Sequence, residues 1–176
     1  MVKQIAILGS TGSIGKNAIQ VIDALGPEYG VFALTAHTNV RLLADQARQY
    51  RPRFVAVTDS DRAHELGELL ADQDVEILAG PDALTTIAEL DEVDVVLAAV
   101  VGAAGLPAIL AAGRKGKRLA IANKEPLVIA GELLTREVEK NGGVILPVDS
   151  EHSAVFQAMQ SGSRDEVKRI ILTGSG

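Results

Sequence analysis

The stretch ILGSTGSIG, residues 7–15, decides the fold because it places three glycines between an apolar run and a helix-like run. Gly9, Gly12 and Gly15 permit a tight turn, and such a turn lets backbone N–H groups approach a pyrophosphate. The first turn of the following helix adds a partial positive charge. A plain glycine turn that packs a helix on a strand is the alternative interpretation of this G-x-x-G-x-x-G spacing. The expected N–H donors are those of Thr11, Gly12, Ser13 and Ile14.

Outside this stretch, short apolar runs alternate with helical patterns along the whole chain. This alternation predicts an α/β fold, a Rossmann-like, mostly parallel, doubly wound sheet with helices on both faces. The alternation completes near residue 150, so we expect a nucleotide-binding domain over 1–149 and the beginning of a second, α+β domain over 150–176. The predicted strands are QIAILG, VFALTA, FVAVT, VEILA, VDVVLAAV, RLAIA, VILPV and, over residues 167–173, VKRIILT.

Helices are predicted between these strands. In the first, five apolar residues fall on one helical face: Ile14, Ala18, Val21, Ile22 and Leu25. Asn39 is well placed to cap the second helix, which carries Val40, Leu43, Ala47 and Tyr50 on one side. The further helices are expected over 62–72, 83–90, 104–115, 127–141 and 151–161.

The end of the second predicted strand bears on the choice between NAD and NADP. An NAD site usually has an acidic residue there for the ribose hydroxyls. This chain instead has His37, Thr38, Asn39 and then Arg41, with no acid. Hydrogen-bond donors and a cation favour a 2′-phosphate, and hence NADP, although His37 as an exposed loop histidine is the alternative.

Two further turns follow predicted strands on the same expected edge of the sheet. Gly102 and Gly105 come after the fifth strand, where small residues serve either close approach to a cofactor or helix packing. Asn123, Lys124 and Glu125 follow the sixth strand and are expected in the loop, because Pro126 fits the first turn of the next helix. Lys124 would meet a phosphate or a polarised oxygen, or else be a solvated loop lysine.

The segment PVDSEH, residues 147–152, ends the seventh predicted strand with two acids. Asp149 and Glu151 suit a hard cation such as Mg²⁺ or Mn²⁺, although two carboxylates cannot complete an octahedral shell. The equally weighted alternative is that Asp149 or Ser150 caps the next helix while Glu151 complements its dipole. His152, alone at a helix start, is more typical of a surface group than of a ligand.

Composition excludes several classes of function. The 176 residues include 47% hydrophobic residues, no cysteine and a net charge of −6 with dispersed basic residues. A thiolate metal site is impossible, and a nucleic-acid or anionic membrane surface is not expected. The N-terminus enters a strand pattern directly without the architecture of a signal peptide, so a cytoplasmic protein is expected. Because the chain stops on glycines that usually begin a loop, we expect it to be part of a longer protein.

The motifs GSTGSIG, ANKE, PVDSEH and the terminal LTGSG, in this order and at these intervals, resemble the 1-deoxy-D-xylulose 5-phosphate reductoisomerase family. The resemblance implies an NADPH-binding domain over 1–149 and, over 150–176, the start of a catalytic domain whose remainder is absent. Members of that family are about twice this length, act as homodimers and need NADPH with Mg²⁺ or Mn²⁺. They convert a phosphorylated sugar, 1-deoxy-D-xylulose 5-phosphate, to 2-C-methyl-D-erythritol 4-phosphate in non-mevalonate isoprenoid biosynthesis.

The resemblance also implies roles for residues. Cofactor contacts fall on Thr11, Gly12, Ser13, Ile14, His37, Thr38, Asn39, Asn123 and Glu125. Substrate contacts fall on Lys124, Ser150, Glu151 and Ser175. The metal ligands are Asp149 and Glu151, which with Lys124 form the catalytic set. His37 and Thr38 depart from the basic or small residues that are frequent at these positions in the family, and further metal and substrate ligands of the family lie beyond Gly176. The chain alone is therefore expected to bind NADPH without turnover.

Two other classes of function fit part of the sequence. A non-catalytic nucleotide-binding module or redox sensor is compatible with the glycine loop and the composition. Another dehydrogenase with this glycine spacing, such as a relative of dihydrodipicolinate reductase, is also compatible with the loop but has no evident use for PVDSEH.

Overall fold

The computed structural model describes residues 1–171 and shows one sheet of seven parallel strands in the order β4-β3-β2-β1-β5-β6-β7. All seven strands match predicted runs, so the doubly wound fold class is confirmed. The strands are β1 (Lys3–Leu8), β2 (Tyr29–Ala36), β3 (Phe54–Val57), β4 (Glu76–Ala79), β5 (Val95–Ala98), β6 (Arg118–Ile121) and β7 (Val144–Pro147).

The eighth predicted strand, over 167–173, is wrong for the part that the structure describes. Residues 167–171 form no strand, and Leu172 and Thr173 lie outside the described residues. Val167, Ile170 and Ile171 are 40%, 54% and 72% exposed. An apolar, β-branched run has the propensity for a strand, but propensity becomes structure only when a partner strand pairs its backbone and a core covers its side chains.

Seven helices connect or follow the strands in the described part of the chain. Asn39 caps α2 as predicted, since its Oδ1 accepts from the N–H of Leu42 at 3.3 Å. Pro126 lies in the first turn of α6. The helices are α1 (Ser13–Leu25), α2 (Val40–Tyr50), α3 (Ala63–Leu69), α4 (Ala83–Glu89), α5 (Leu106–Arg114), α6 (Glu125–Lys140) and α7 (Ser150–Met159).

The sheet separates two apolar cores. Because side chains alternate across a strand, Ile5 and Ile7 of β1 face the core made with α1, α2 and α3. Ala6 and Leu8 face the opposite core, made with α4, α5 and α6. Full burial of a leucine or isoleucine side chain, such as Leu8 or Ile7, contributes about 1.5–3 kcal/mol to stability. Burial on both faces explains why these strands read as continuous apolar runs rather than as alternating ones.

The predicted apolar face of α1 is a single face, but it is only partly covered. Ile14, Val21 and Leu25 are 38%, 56% and 54% exposed. Ile22 is buried as predicted, together with Gly15 and Ile19, which the predicted face did not include. The exposed residues line a groove of about 550 Å³ whose other wall includes Leu97, Leu146 and Val148. The helices that follow β4, β5 and β6 lie on the opposite side of the sheet, so they do not cover this wall.

Candidate functional site

The carboxyl ends of all seven parallel strands lie at one rim of the sheet, and the predicted site residues follow these ends. Gly12 follows β1, Lys124 follows β6 and Asp149 follows β7, as predicted. Three strand spacings of about 4.8 Å place β7 about 14 Å from β1. Strand order reverses between β1 and β5, and the crevice at such a switch point is the usual ligand site of this fold.

A cleft of about 490 Å³ opens at this switch point. Three predicted cofactor residues line it, namely Thr11, Gly12 and His37. The other lining residues lie in or after β1 to β5 and form the mostly apolar walls of the cleft. Gly9, Ala36, Val100, Val101 and Ala104 belong to stretches that the sequence placed at the ligand edge. Sequence reasoning missed Thr35, Thr58, Pro81, Leu84 and Ala99. Their signal was their position just after or at the end of predicted strands.

The three glycines of the loop do different work. Gly9 has φ +88°, and a Cβ there would come within 2.8 Å of the carbonyl oxygen of Ala99 on the loop after β5. A Cβ on Gly15 would lie 2.3 Å from the carbonyl oxygen of Gly9, so this glycine is required for packing α1 against the strand end. A Cβ on Gly12 would meet nothing closer than 3.5 Å. The packing interpretation therefore explains two glycines, and Gly12 remains beside the cleft.

One of the four expected N–H donors is engaged within the loop. The N–H of Gly12 donates to the carbonyl oxygen of Gly9 at 3.2 Å, which closes the turn. The N–H groups of Ser13 and Ile14 lie in the first turn of α1, where helix geometry provides no acceptor within the helix. An anion at this helix end would therefore be met by fewer donors than the sequence predicts.

Ser10, the residue after Gly9, is hydrogen-bonded to buried polar groups of β2 and α2. Ser10 is 0% exposed, and its N–H donates to the carbonyl oxygen of Thr35 at 2.8 Å. The Ser10 hydroxyl donates to Gln46 Oε1 at 2.7 Å and lies 3.1 Å from the Thr35 carbonyl oxygen. Gln46 Nε2 donates to the Ser10 carbonyl oxygen at 3.0 Å, and the N–H of Gly9 donates to Thr35 Oγ1 at 2.8 Å.

The end of β2 presents polar side chains toward the cleft. The Nδ1 atom of His37 lies 2.9 Å from Thr58 Oγ1, which fixes the imidazole against the end of β3. Thr38 is exposed, and the side-chain oxygen of Asn39 serves the α2 cap. Arg41 is 84% exposed and lies 3.6 Å from Glu65, so part of its charge is balanced by a carboxylate.

The loops after β5 and β6 are joined by Asn123, whose side-chain amide donates to the carbonyl oxygen of Val100. Lys124 is exposed at the N-cap of α6. Glu125 is the first residue of that helix rather than a loop residue as predicted, because the helix begins one residue before Pro126. Gly102, with φ +69°, begins the short 3₁₀ turn Gly102–Gly105, which leads into α5.

The segment PVDSEH joins the end of β7 to the start of α7, and the structure shows the predicted helix cap there. Asp149 is the N-cap, and its Oδ1 accepts a long hydrogen bond of 3.5 Å from the N–H of His152. His152 Nδ1 lies 3.0 Å from the same oxygen. Glu151 Oε2 lies 2.6 Å from Ser150 Oγ. The Ser150 hydroxyl is the main cause that holds the pKa of Glu151 below its ordinary value, and the positive charges of Lys124 and His152 act in the same direction.

The donor set here fits a hard divalent cation in kind but not in number. Asp149 and Glu151 supply carboxylate oxygens at one strand end, and the lowered pKa of Glu151 favours its ionised form. Within residues 1–171, no cluster of three or more candidate metal-ligating side chains occurs. Ser175, a predicted substrate residue, lies outside the described residues. In the same described part of the chain, no helix has the length and apolar character needed to cross a bilayer.

Comparison with known proteins relates the chain to one group over its whole length. Residues 5–131 match the family model for 1-deoxy-D-xylulose 5-phosphate reductoisomerase, and residues 145–176 match the model for the C-terminal domain of that enzyme. The reductoisomerase of Phocaeicola vulgatus is 48% identical over 176 residues, which cover 100% of this chain and 46% of that protein. The Geobacter metallireducens enzyme is 48% identical over 174 residues, or 99% of this chain and 45% of that protein.

Solved structures agree with this relationship. The Zymomonas mobilis reductoisomerase in complex with NADPH superposes with a TM-score of 0.85 at 44% identity and covers 89% of this chain and 41% of that chain. A reductoisomerase in complex with NADPH, fosmidomycin and magnesium gives a TM-score of 0.85 at 41% identity, covering 90% of this chain and 40% of that chain. This chain spans less than half the length of these relatives, and it belongs to the 1-deoxy-D-xylulose 5-phosphate reductoisomerase family.

Proposed function

We propose that this chain is the cofactor-binding half of an NADPH- and divalent-metal-dependent reductoisomerase that converts 1-deoxy-D-xylulose 5-phosphate to 2-C-methyl-D-erythritol 4-phosphate. The observation that carries the proposal is the shared rim. A cleft at the switch point and a pair of acids at the end of β7 lie on the same edge of one sheet, about three strand spacings apart. Relatives solved with NADPH and with magnesium support this assignment.

The cofactor would lie along the rim with its adenosine end at β2 and β3 and its nicotinamide toward β6. The adenosine end would lie at β2 and β3, where His37 and Thr58 present polar groups and no acid directly follows β2. The pyrophosphate would lie against Thr11 and the start of α1. The nicotinamide would then reach the loops after β5 and β6, next to Asn123 and Glu125. This direction brings the hydride donor toward Lys124 and the acids.

Asp149 and Glu151 would hold the metal ion, with Ser150 and Lys124 beside it. When bound, a divalent ion supplies Lewis-acid stabilisation to the oxyanion that develops while a carbon–carbon bond breaks and re-forms. Lys124 contributes a positive charge close enough to lower the pKa of Glu151, and the same charge suits a polarised substrate oxygen or a phosphate. The Ser150 hydroxyl donates to Glu151 and thereby stabilises its ionised form, which is the form that binds a cation.

Several properties of the complete protein follow from the same proposal. The cofactor domain extends over 1–149 and the catalytic domain begins at 150, with Ser175 as a substrate contact. The complete protein is a cytoplasmic homodimer. The 176-residue chain binds NADPH but does not turn over substrate, because two carboxylates with water hold Mg²⁺ weakly and further substrate ligands of the family lie beyond residue 176.

The test is an Asp149→Asn substitution in the full-length protein. We expect loss of turnover of 1-deoxy-D-xylulose 5-phosphate, while the Kd for NADPH changes less than twofold, because Asp149 lies at β7 and the cofactor cleft at β1 and β5. Asp72→Asn, at an exposed site between α3 and β4, is the matched control and should retain full turnover. Unimpaired turnover in the Asp149→Asn variant would refute the metal assignment. NADH binding as tightly as NADPH would remove the preference for the 2′-phosphate.

A further inference from the structure

Gln46 connects two parts of the cofactor site that are far apart in sequence. It lies in the middle of α2, whose first residue, Val40, directly follows His37, Thr38 and Asn39 at the expected adenosine end. Its side chain is 7% exposed and reaches 36 positions back along the chain to Ser10, inside the glycine loop. A glutamine is rarely so buried unless its polar atoms have partners.

Both ends of the Gln46 amide are used on the same residue. Nε2 donates to the Ser10 carbonyl oxygen at 3.0 Å, and Oε1 accepts from the Ser10 hydroxyl at 2.7 Å. The carbonyl oxygen can only accept, so the amide cannot be flipped without placing two acceptors against each other. With the Ser10 N–H donating to the carbonyl oxygen of Thr35, every polar group of Ser10 has a hydrogen-bond partner.

The residues that follow Ser10 lie at the cleft where the cofactor is proposed to bind. Thr11 and Gly12 line the cleft, and α1 begins at Ser13. The hydrogen bonds between Gln46 and Ser10 therefore determine where Thr11 and Gly12 lie, although Gln46 itself does not line the cleft. We propose that Gln46 is a positioning residue that fixes the glycine loop, through Ser10, in the conformation that receives the cofactor pyrophosphate. This inference rests on the proposed function.

The experiment is a titration of NADPH fluorescence with the 176-residue chain and with its Gln46→Met variant. Methionine keeps the length and the apolar contacts but removes both hydrogen bonds, leaving the Ser10 carbonyl oxygen buried without its donor. We expect the Kd for NADPH to rise about tenfold, a change equivalent to about 1.4 kcal/mol. Gln49→Met is the matched control, because Gln49 lies on the same helix and is exposed. Its Kd should stay within twofold of the unsubstituted chain.

A second ligand separates positioning from general loss of structure. Adenosine 2′-monophosphate carries the 2′-phosphate but no pyrophosphate, so its Kd should stay within twofold in the Gln46→Met variant. Equal weakening of both ligands would overturn the inference, because a general defect would then explain the loss. NADPH binding within twofold of the unsubstituted chain would overturn it as well.

Two further arms keep the test decisive. If circular dichroism shows that Gln46→Met does not fold, the milder Ser10→Ala variant, which loses only the hydroxyl, should raise the Kd for NADPH about threefold and leave that for adenosine 2′-monophosphate unchanged. An unchanged Kd for NADPH in that variant would overturn the inference. If the unsubstituted chain does not bind NADPH, the proposed function fails first, and the inference fails with it.

Discussion

The three glycines of residues 9–15 allow a prediction in which fold and ligand binding respond to different substitutions. Gly15→Ala adds a Cβ that would lie 2.3 Å from the Gly9 carbonyl oxygen, 2.5 Å from Ser10 Cα and 2.7 Å from Ser10 C. All three are backbone atoms, so none can move away by changing a rotamer. We therefore take the upper end of the cost of overpacking, about 3 kcal/mol.

Helix propensity acts in the opposite direction. Alanine is favoured over glycine within a helix by about 1 kcal/mol, and Gly15 is the third residue of α1. The expected net destabilisation is about 2 kcal/mol. For a chain of this size, this loss lowers Tm by about 4–8 °C in thermal unfolding followed by circular dichroism.

Gly67→Ala is the matched control, since Gly67 lies inside α3 and an added Cβ meets nothing within 4 Å. That substitution should raise Tm by about 1–4 °C. Gly12→Ser should leave Tm nearly unchanged, because serine is a good N-cap and its Cβ has room, yet it should weaken NADPH binding at least tenfold. If Gly15→Ala were as stable as Gly67→Ala, the close approach of α1 to the loop would be refuted.

Three further predictions concern individual side chains. Burial, followed by the 2.7 Å hydrogen bond to Asp23, raises the pKa of Tyr50 from 10.0 to about 12. The contribution of Tyr50 to stability is therefore full below about pH 10 and is lost as the pH rises through about 12. In a Tyr29→Phe variant, tyrosinate absorbance should report a pKa of about 12 for Tyr50 rather than 10. Ser150→Ala should raise the pKa of Glu151 toward its ordinary value, measured by carboxyl ¹³C chemical shifts, and no change would contradict the assigned hydrogen bond. Lys117→Met should lower the free energy of unfolding, measured with urea, by about 2 kcal/mol, because Nζ donates to the carbonyl oxygens of Leu90 and Val93 at 2.5 and 2.6 Å. The control Lys115→Met, at an exposed position, should change that free energy by less than 0.5 kcal/mol, about the usual limit for a surface site. Equal losses in the two variants would contradict the role of the two hydrogen bonds.

The sequence predicted the seven strands because strands buried on both faces appear as short apolar runs, and the turns between them carry glycine, proline and asparagine. It also predicted the rim, since parallel strands bring their carboxyl ends to one edge. It placed the turn after β5 at this edge, but it did not predict the cleft walls contributed after β3 and β4. Pro81, Leu84 and Ala104 carry no chemical signature of a ligand site, and they meet only because β4 and β5 lie on opposite sides of β1.

Gln46 was missed for a related reason. A glutamine in an amphipathic helix is usually exposed, although Gln46, three residues after Leu43 and four before Tyr50, borders the predicted apolar face of α2, whereas Gln49 does not. Their difference arises from a contact with Ser10, 36 positions away, which depends on how α2 packs against the sheet. The opposite error occurred in α1, where Ile14, Val21 and Leu25 form the predicted face but border an open groove. Periodicity identifies an apolar face, whereas its burial depends on which other segments reach it.

The acids of PVDSEH show why cap and metal interpretations could not be separated by spacing. A helix that starts directly after a parallel strand places its N-cap at the ligand rim, so the residue type that suits the cap also suits a cation there. In the structure, Asp149 is the cap, but its hydrogen bond to His152 is 3.5 Å long and weak. A carboxylate has two oxygens and about four acceptor sites. The N–H of His152 and its Nδ1, at 3.0 Å, both contact Oδ1 of Asp149, so the second oxygen has capacity for a metal. Helix capping and the proposed cation binding are therefore compatible at Asp149.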